Sequence, residues 1–228
     1  MVNYSWFNEE KLLKIEIRDN GEPLVPIKQH ASTILIDYSK TDFYKLKAAG
    51  FRRPVLRKRV AELLGAIQKR LPSNLTLVIR DAWRPIELQR EIYESFVKKF
   101  RKRSPNFSKT QIKKEVDKFV ADPDGRIPPG HTTGGAVDIT LAYKASKRKI
   151  PMKTSKLSYE DNAKIFSPKL SKRLRKNRKI LFNVMTKAGF ANYPNEWWHY
   201  SYGDAYWAAR TNRKTAFYDK VEKIKDES

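Results

Sequence analysis

Between residues 58 and 100 the apolar side chains of this chain change period twice, which excludes an all-helical and an all-strand fold alike. Val60, Leu63, Leu64, Ile67 and Leu71 recur at helical spacing, and Pro72 stops the run. Leu75, Leu77 and Ile79 then alternate with Thr76, Val78 and Arg80 in a β-prone run that ends at Asp81-Ala82-Trp83-Arg84-Pro85. Proline suits a first helical position, and beyond Pro85 the residues Ile92, Tyr93, Phe96, Val97 and Phe100 share one helical face. Ser108 and Gln111 form a capping box for a short helix bearing Ile112, Val116, Phe119 and Val120, which Asp122-Pro123-Asp124-Gly125 breaks. A longer helix is predicted with Pro168 near its start, Leu170, Leu174, Leu181, Val184 and Met185 on its apolar face, and Gly189 as its C-cap. With 228 residues, no internal repeat and no low-complexity linker, one domain spanning 1–228 is the simplest organisation. The expected fold is α+β: a small antiparallel sheet with helices on one side and residues 1–30 as a peripheral addition.

Composition narrows the chemistry. The chain has no cysteine, so disulfides, thiolate nucleophiles, iron–sulfur clusters and Cys-type zinc sites are excluded. His, Asp and Glu remain as the common side-chain ligands for a metal. No stretch approaches the roughly 20 apolar residues of a membrane span, and the first twenty residues lack the apolar core of a secretory signal, so a cytoplasmic protein is expected. The net charge of +23 directs attention to polyanions. Segment 98–118 contributes +7 and segment 144–179 contributes +12, leaving +4 on the rest. Two basic elaborations on a nearly balanced domain are the reading this distribution favours, with the charge runs as solvated faces. An anion-binding protein for nucleic acid or cell-wall polymer is the alternative of another class. Nucleic acid is disfavoured, because the basic runs lack the interleaved aromatics of a stacking platform.

The residues that carry chemistry lie in two places. Pro128-Pro129-Gly130-His131-Thr132-Thr133-Gly134-Gly135 is a Gly-rich loop that runs into a β-type segment, Ala136-Val137-Asp138-Ile139-Thr140-Leu141. The glycines let the chain fold back, so that the His131 imidazole and the Asp138 carboxylate can converge on one ion. Two ligands do not make a metal site; Asn195-Glu196-Trp197-Trp198-His199-Tyr200 offers a third. In a regular strand Glu196 and His199 would point to opposite faces, so they meet only if the chain turns or bulges near Glu196, or if they take different roles. Different roles suit a metallopeptidase, with three protein ligands on the metal and a carboxylate, itself not a ligand, taking the proton of the attacking water. His131, Asp138 and His199 would be the ligands and Glu196 the base.

These blocks, His131-x6-Asp138 in Gly-His-x-x-Gly-Gly-Ala-Val-Asp-Ile-Thr-Leu, then Glu196-Trp197-Trp198-His199, with Asp81-x-x-Arg84-Pro85 before them, closely resemble the VanX-like zinc D-alanyl-D-alanine dipeptidases. The resemblance covers most of 35–207, including Met185–Phe190 and, more loosely, Tyr38–Phe43. It implies the D-Ala-D-Ala metallopeptidase or Hedgehog-type fold. It also implies one Zn2+ per chain on His131, Asp138 and His199, Glu196 as catalytic base, Arg84 on the oxyanion, and Asp81 supporting Arg84. His30 has no partner pattern and is given a structural or surface role. The implied reaction is hydrolysis of D-Ala-D-Ala; a peptidoglycan D,D-carboxypeptidase or endopeptidase with the same zinc site is the related alternative. Two departures touch substrate choice. The family's Met-Gly-x-x-Phe-Asp segment, whose aspartate binds the substrate amine, is Met152-Lys153-Thr154-Ser155-Lys156-Leu157 here, with Asp161 as the substitute candidate further on. Pro129 stands where the family commonly has a serine. With lysines around this divergent region, a short peptidoglycan-derived peptide is a partner beside the bare dipeptide.

Overall fold

The computed structural model describes residues 9–37, 39 and 53–222. Its first half contains α1 (Glu9–Leu13), β1 (Glu16–Ile17), β2 (Leu24–Pro26), α2 (Ile27–His30), β3 (Leu35–Ile36), β4 (Val55–Arg57), α3 (Lys58–Arg70), β5 (Leu75–Asp81), α4 (Ile86–Arg103) and α5 (Lys109–Val116). Its second half contains α6 (Gly130–Thr133), β6 (Ala136–Tyr143), α7 (Tyr159–Ala163), α8 (Lys172–Lys187), β7 (Ala191–Asn192), β8 (His199–Ser201), α9 (Ala205–Arg210) and β9 (Thr215–Ala216). The Tyr38–Phe43 stretch lies, Ser39 apart, outside the described residues.

A five-stranded sheet in the order β3-β5-β6-β8-β7 organises the molecule. β5, β6, β8 and β7 pair antiparallel as expected, while β3 joins β5 in parallel. In this register Asp81 lies opposite Asp138, and Asp138 opposite His199, so three strands place these residues in one row. The main core holds Val60, Leu64 and Ile67 of α3, Leu77 and Ile79 of β5, Ile139 and Leu141 of β6, and Leu181 and Met185 of α8. Among the described residues no helix is long and apolar enough to cross a membrane.

Several local expectations change. α8 begins at Lys172, because the Ser171 hydroxyl accepts from the Leu174 N–H and caps the helix there; Pro168 and Leu170 precede it, although Leu170 is buried. The face of α4 bearing Phe96 and Phe100 is only partly buried and meets Phe119, just past α5, at 6.4 and 5.7 Å between ring centroids. The capping box of Ser108 and Gln111 is present at α5. Residues 9–30 are tied into the body rather than laid beside it. β1 pairs with β9, β2 pairs with β4, and Ile27 is fully buried. The tie is Arg57, whose buried guanidinium donates to Thr133 O (2.8 Å), Glu22 O (2.6 Å) and Asp219 O (2.9 Å) and pairs with Asp19 at 2.5 Å.

Candidate active site

β6 supplies Asp138, and the turn before it supplies His131. The predicted Gly-rich loop is here one turn of helix, α6, entered from Pro129 and closed by Gly134 at φ +72°, a left-handed conformation that favours glycine. A Cβ on Gly135 would stand 2.4 Å from Tyr202 O, so only glycine allows β6 and the chain after β8 to approach so closely. The Asp81–Pro85 turn is stitched to α6. Arg84 N–H donates to His131 O (3.1 Å), the Trp83 indole to Thr132 O (3.2 Å), and the His131 Nδ1–H to Ala82 O (2.8 Å). The last bond orients the ring and leaves Nε2 facing Asp138.

The chain does turn before His199. Glu196 N–H donates to Tyr193 O (2.9 Å) and His199 N–H to Glu196 O (3.1 Å), so β8 starts only at His199 and the two side chains meet. His131 Nε2 and His199 Nδ1 lie 3.3 and 3.1 Å from the same Asp138 oxygen, and Glu196 lies 4.0 Å from His199 Nδ1. One donor atom from each of His131, Asp138 and His199 falls within 4.8 Å of the others. Tetrahedral zinc with bonds of about 2.0–2.1 Å separates its ligand atoms by roughly 3.3–3.4 Å. The two distances to Asp138 therefore match the edge of such a site, and two imidazoles with one carboxylate are a donor set that zinc accepts.

The electrostatics agree with the geometry. Burial pushes the Asp138 carboxyl up, but the two histidines outweigh it and hold the group well below the usual carboxylate range. Burial and Arg84 oppose protonation of His131, while Asp138 and Asp81 overcome them and raise it. Glu196 is pushed up to about 7 by burial and then by Asp138, against His199, Arg84 and Arg80. A cation held by its neighbours would draw it back down.

Arg84 is 8% exposed and clamped: one Nη pairs with Asp81, the other donates to Gln89 Oε1 at 2.6 Å, and Gln89 donates onward to Ala121 O at 2.8 Å. Asp161 pairs with Lys169 (2.8 Å) and accepts from Ser158 Oγ (3.0 Å); its partners include neither the histidines nor Glu196. His30 sits at the end of α2, partly buried.

Sequence reasoning missed four neighbours. Gln89 is buried in the first turn of α4, where a polar residue among apolar ones was the available clue. Ser201 Oγ lies 3.4 Å from His199 Nε2, and the buried Asp204 caps α9 by accepting from Trp207 N–H (2.8 Å). Arg80, taken only as an alternating strand residue, lies over the rings of Trp197 and Trp198, the two residues that follow Glu196.

The sequence model of the Peptidase M15 family, described as D-ala-D-ala dipeptidase, matches residues 38–218. The D-alanyl-D-alanine dipeptidase of Synechocystis sp. is 30% identical over 92% of this chain and 96% of that protein. Two solved structures resemble 71% of the chain: VanYB in complex with D-alanine-D-alanine (80% of that chain, 19% identity, TM-score 0.45) and a VanY D,D-pentapeptidase variant in complex with Zn(II) (82%, 18%, 0.44).

Proposed function

This chain belongs to the D-ala-D-ala dipeptidase family of M15 peptidases, and from that premise we propose that His131, Asp138 and His199 hold a catalytic Zn2+ beside Glu196 as proton carrier. It is a metallopeptidase that hydrolyses D-Ala-D-Ala. The observation that carries the assignment of roles is the convergence of two imidazoles on one Asp138 oxygen, with a carboxylate that is not among those three donors 4.0 Å from His199. When bound, the ion supplies Lewis-acid polarisation of the scissile carbonyl and acidification of a water molecule.

The rest of the chemistry belongs to the chain. Glu196, buried and raised towards neutrality, takes the proton of the attacking water and returns it to the amine of the departing D-alanine. Arg84, held by Asp81 and Gln89, donates to the oxygen that gains charge as the tetrahedral intermediate forms; such a donor accounts for roughly 100- to 1,000-fold in turnover. Ala82 O orients His131, and Ser201 backs His199.

The test is hydrolysis of D-Ala-D-Ala by zinc-loaded protein, beside a chelated sample, an L-Ala-L-Ala control and Glu196→Ala. The expected result is chelator-sensitive cleavage of the D,D peptide alone, lost in the variant while one zinc per chain remains bound. Retained turnover in Glu196→Ala would remove Glu196 from its role.

One observation favours a longer peptide as a second reading. Asp161, the candidate anchor for the substrate amine, is paired with Lys169 and Ser158, and its partners include neither the histidines nor Glu196. A stem pentapeptide, cut as by a D,D-carboxypeptidase, presents no free amine next to the scissile bond. Comparing its turnover with that of the free dipeptide separates the two readings.

A further inference from the structure

Strand β5 carries an extra residue next to the site. Ile79 pairs with Ile139 and Asp81 with Asp138, so two steps along β5 match one step along β6 and Arg80 is the unpaired residue of a β-bulge. Regular alternation would put Ile79 and Asp81 on one face. The bulge breaks it: Ile79 stays in the core, Asp81 joins the row with Asp138 and His199, and Arg80 reaches the Glu196-Trp197-Trp198 turn.

The Arg80 guanidinium lies 5.5 Å from the ring centroid of Trp197 and 5.4 Å from that of Trp198, in the corner made by two indoles that meet at 90°. Its Nη1 is fully buried and has no hydrogen-bond partner among the described residues. Its charge also acts on Glu196 and on Tyr159, the half-exposed first residue of α7. A buried charged donor left unmade is costly, so a group that arrives with the substrate is its natural complement.

The substrate carries one anion, the α-carboxylate of its C-terminal residue. Two arginines act on Glu196. Arg84 is held by Asp81 and Gln89 and is already assigned to the oxyanion of the proposed reaction. We infer that Arg80 is the specificity-determining residue that binds the C-terminal carboxylate of the peptide, selecting substrates with a free carboxyl end. The inference rests on the D-Ala-D-Ala reading of the site. A planar guanidinium held against two indoles and aimed by a bulge suits a carboxylate, which its paired N–H groups can match.

The test compares D-Ala-D-Ala with its C-terminal amide, using zinc-loaded wild-type protein, Arg80→Gln and Arg80→Lys, each checked for one zinc per chain. Wild-type protein should prefer the free acid in kcat/KM by on the order of 10- to 100-fold, the scale of one charge-assisted hydrogen-bonded contact. Arg80→Gln should collapse that preference to within about threefold, mainly through KM for the acid, and Arg80→Lys should retain part of it. A preference unchanged in Arg80→Gln, or an equal loss on both substrates, would overturn the inference; the second is the mark of a merely structural side chain packed on two tryptophans. Equal cleavage of acid and amide by wild-type protein would overturn it as well. Cleavage of neither would refute the activity beneath it, a failure distinguishable from the others. If Arg80→Gln does not fold, the partial preference expected of Arg80→Lys decides the question alone.

Discussion

Replacing Arg178 with methionine should destabilise the protein by about 2–6 kcal/mol while leaving its zinc ligands in place. Arg178 belongs to the strongly basic 144–179 segment, yet it is 1% exposed and its guanidinium has backbone carbonyls as its hydrogen-bond partners. Nε and Nη2 donate to Met152 O at 2.8 and 2.5 Å, Nη2 also to Asn162 O at 2.6 Å, and Nη1 to Lys164 O at 2.6 Å, while the group lies 5.4 Å from the Trp197 ring. Burial draws its pKa down to about 10. Methionine keeps the apolar stem but orphans three carbonyls. The Met152 carbonyl, bonded in a buried setting, costs about 1–3 kcal/mol when left unmade, and the two partly buried ones about 0.5–1.5 kcal/mol each because water reaches them. For a chain of this size each kcal/mol lowers Tm by about 2–4 °C, so a fall of roughly 4–24 °C is expected. Urea unfolding followed by tryptophan fluorescence measures it, and Arg178→Lys should recover only part, since an ammonium cannot reach three carbonyls set for a planar fork. A loss below about 1 kcal/mol would refute the reasoning and show that water satisfies all three carbonyls.

Three other outcomes follow from the same coordinates. Zinc at about a hundredfold over its Kd should stabilise the native protein by about 2.7 kcal/mol and leave His131→Ala and His199→Ala unmoved in a thermal-shift titration; equal stabilisation of the variants would move the metal elsewhere. Gln89→Ala frees one side of Arg84 and should lower kcat by about 10- to 100-fold with zinc content unchanged, with Gln89→Glu restoring much of it; full activity in Gln89→Ala would leave positioning to Asp81 alone. For Asp19, burial raises the pKa, but the N–H groups of Asp219 and Gly21 and the Arg57 guanidinium outweigh it and hold it below 3.8. Its contribution to stability is therefore present above the unfolded value and lost as pH falls from about 4 through the folded value. Asp19→Asn should flatten that limb of the pH–stability curve, and an unchanged acid limb would take Asp19 out of acid unfolding.

Local order was legible wherever a short-range cue sufficed. The Ser108–Gln111 box, the proline start of α4 and the apolar face of α3 need only their own neighbours, and each stands where periodicity placed it. The start of α8 was missed because Ser171, not Pro168, supplies the cap. The outer face of α4 looked like core because an apolar stripe says that it is covered without saying by what. Asp161 is a candidate amine anchor on chain offset alone, and offset could not show that Lys169 pairs with its carboxylate.

Residue chemistry by itself determined that any metal here must rest on His, Asp and Glu, that His131, Asp138 and His199 were the set to consider, and that Glu196 could serve the same site only across a turn or bulge, or in a different role. Those conclusions follow from ligand preferences and backbone period, which a sequence carries locally. Tertiary structure alone decided that β5, β6 and β8 align Asp81, Asp138 and His199 in one row, that Gln89 locks Arg84, and that Arg178 is buried among carbonyls while the lysines around it face water. It also decided that a single bulge turns Arg80 from a strand residue into a cation with an unmade bond beside Glu196. Register, bulges and the burial of a charge depend on pairings between residues far apart in the chain, and they exist only once the sheet has closed.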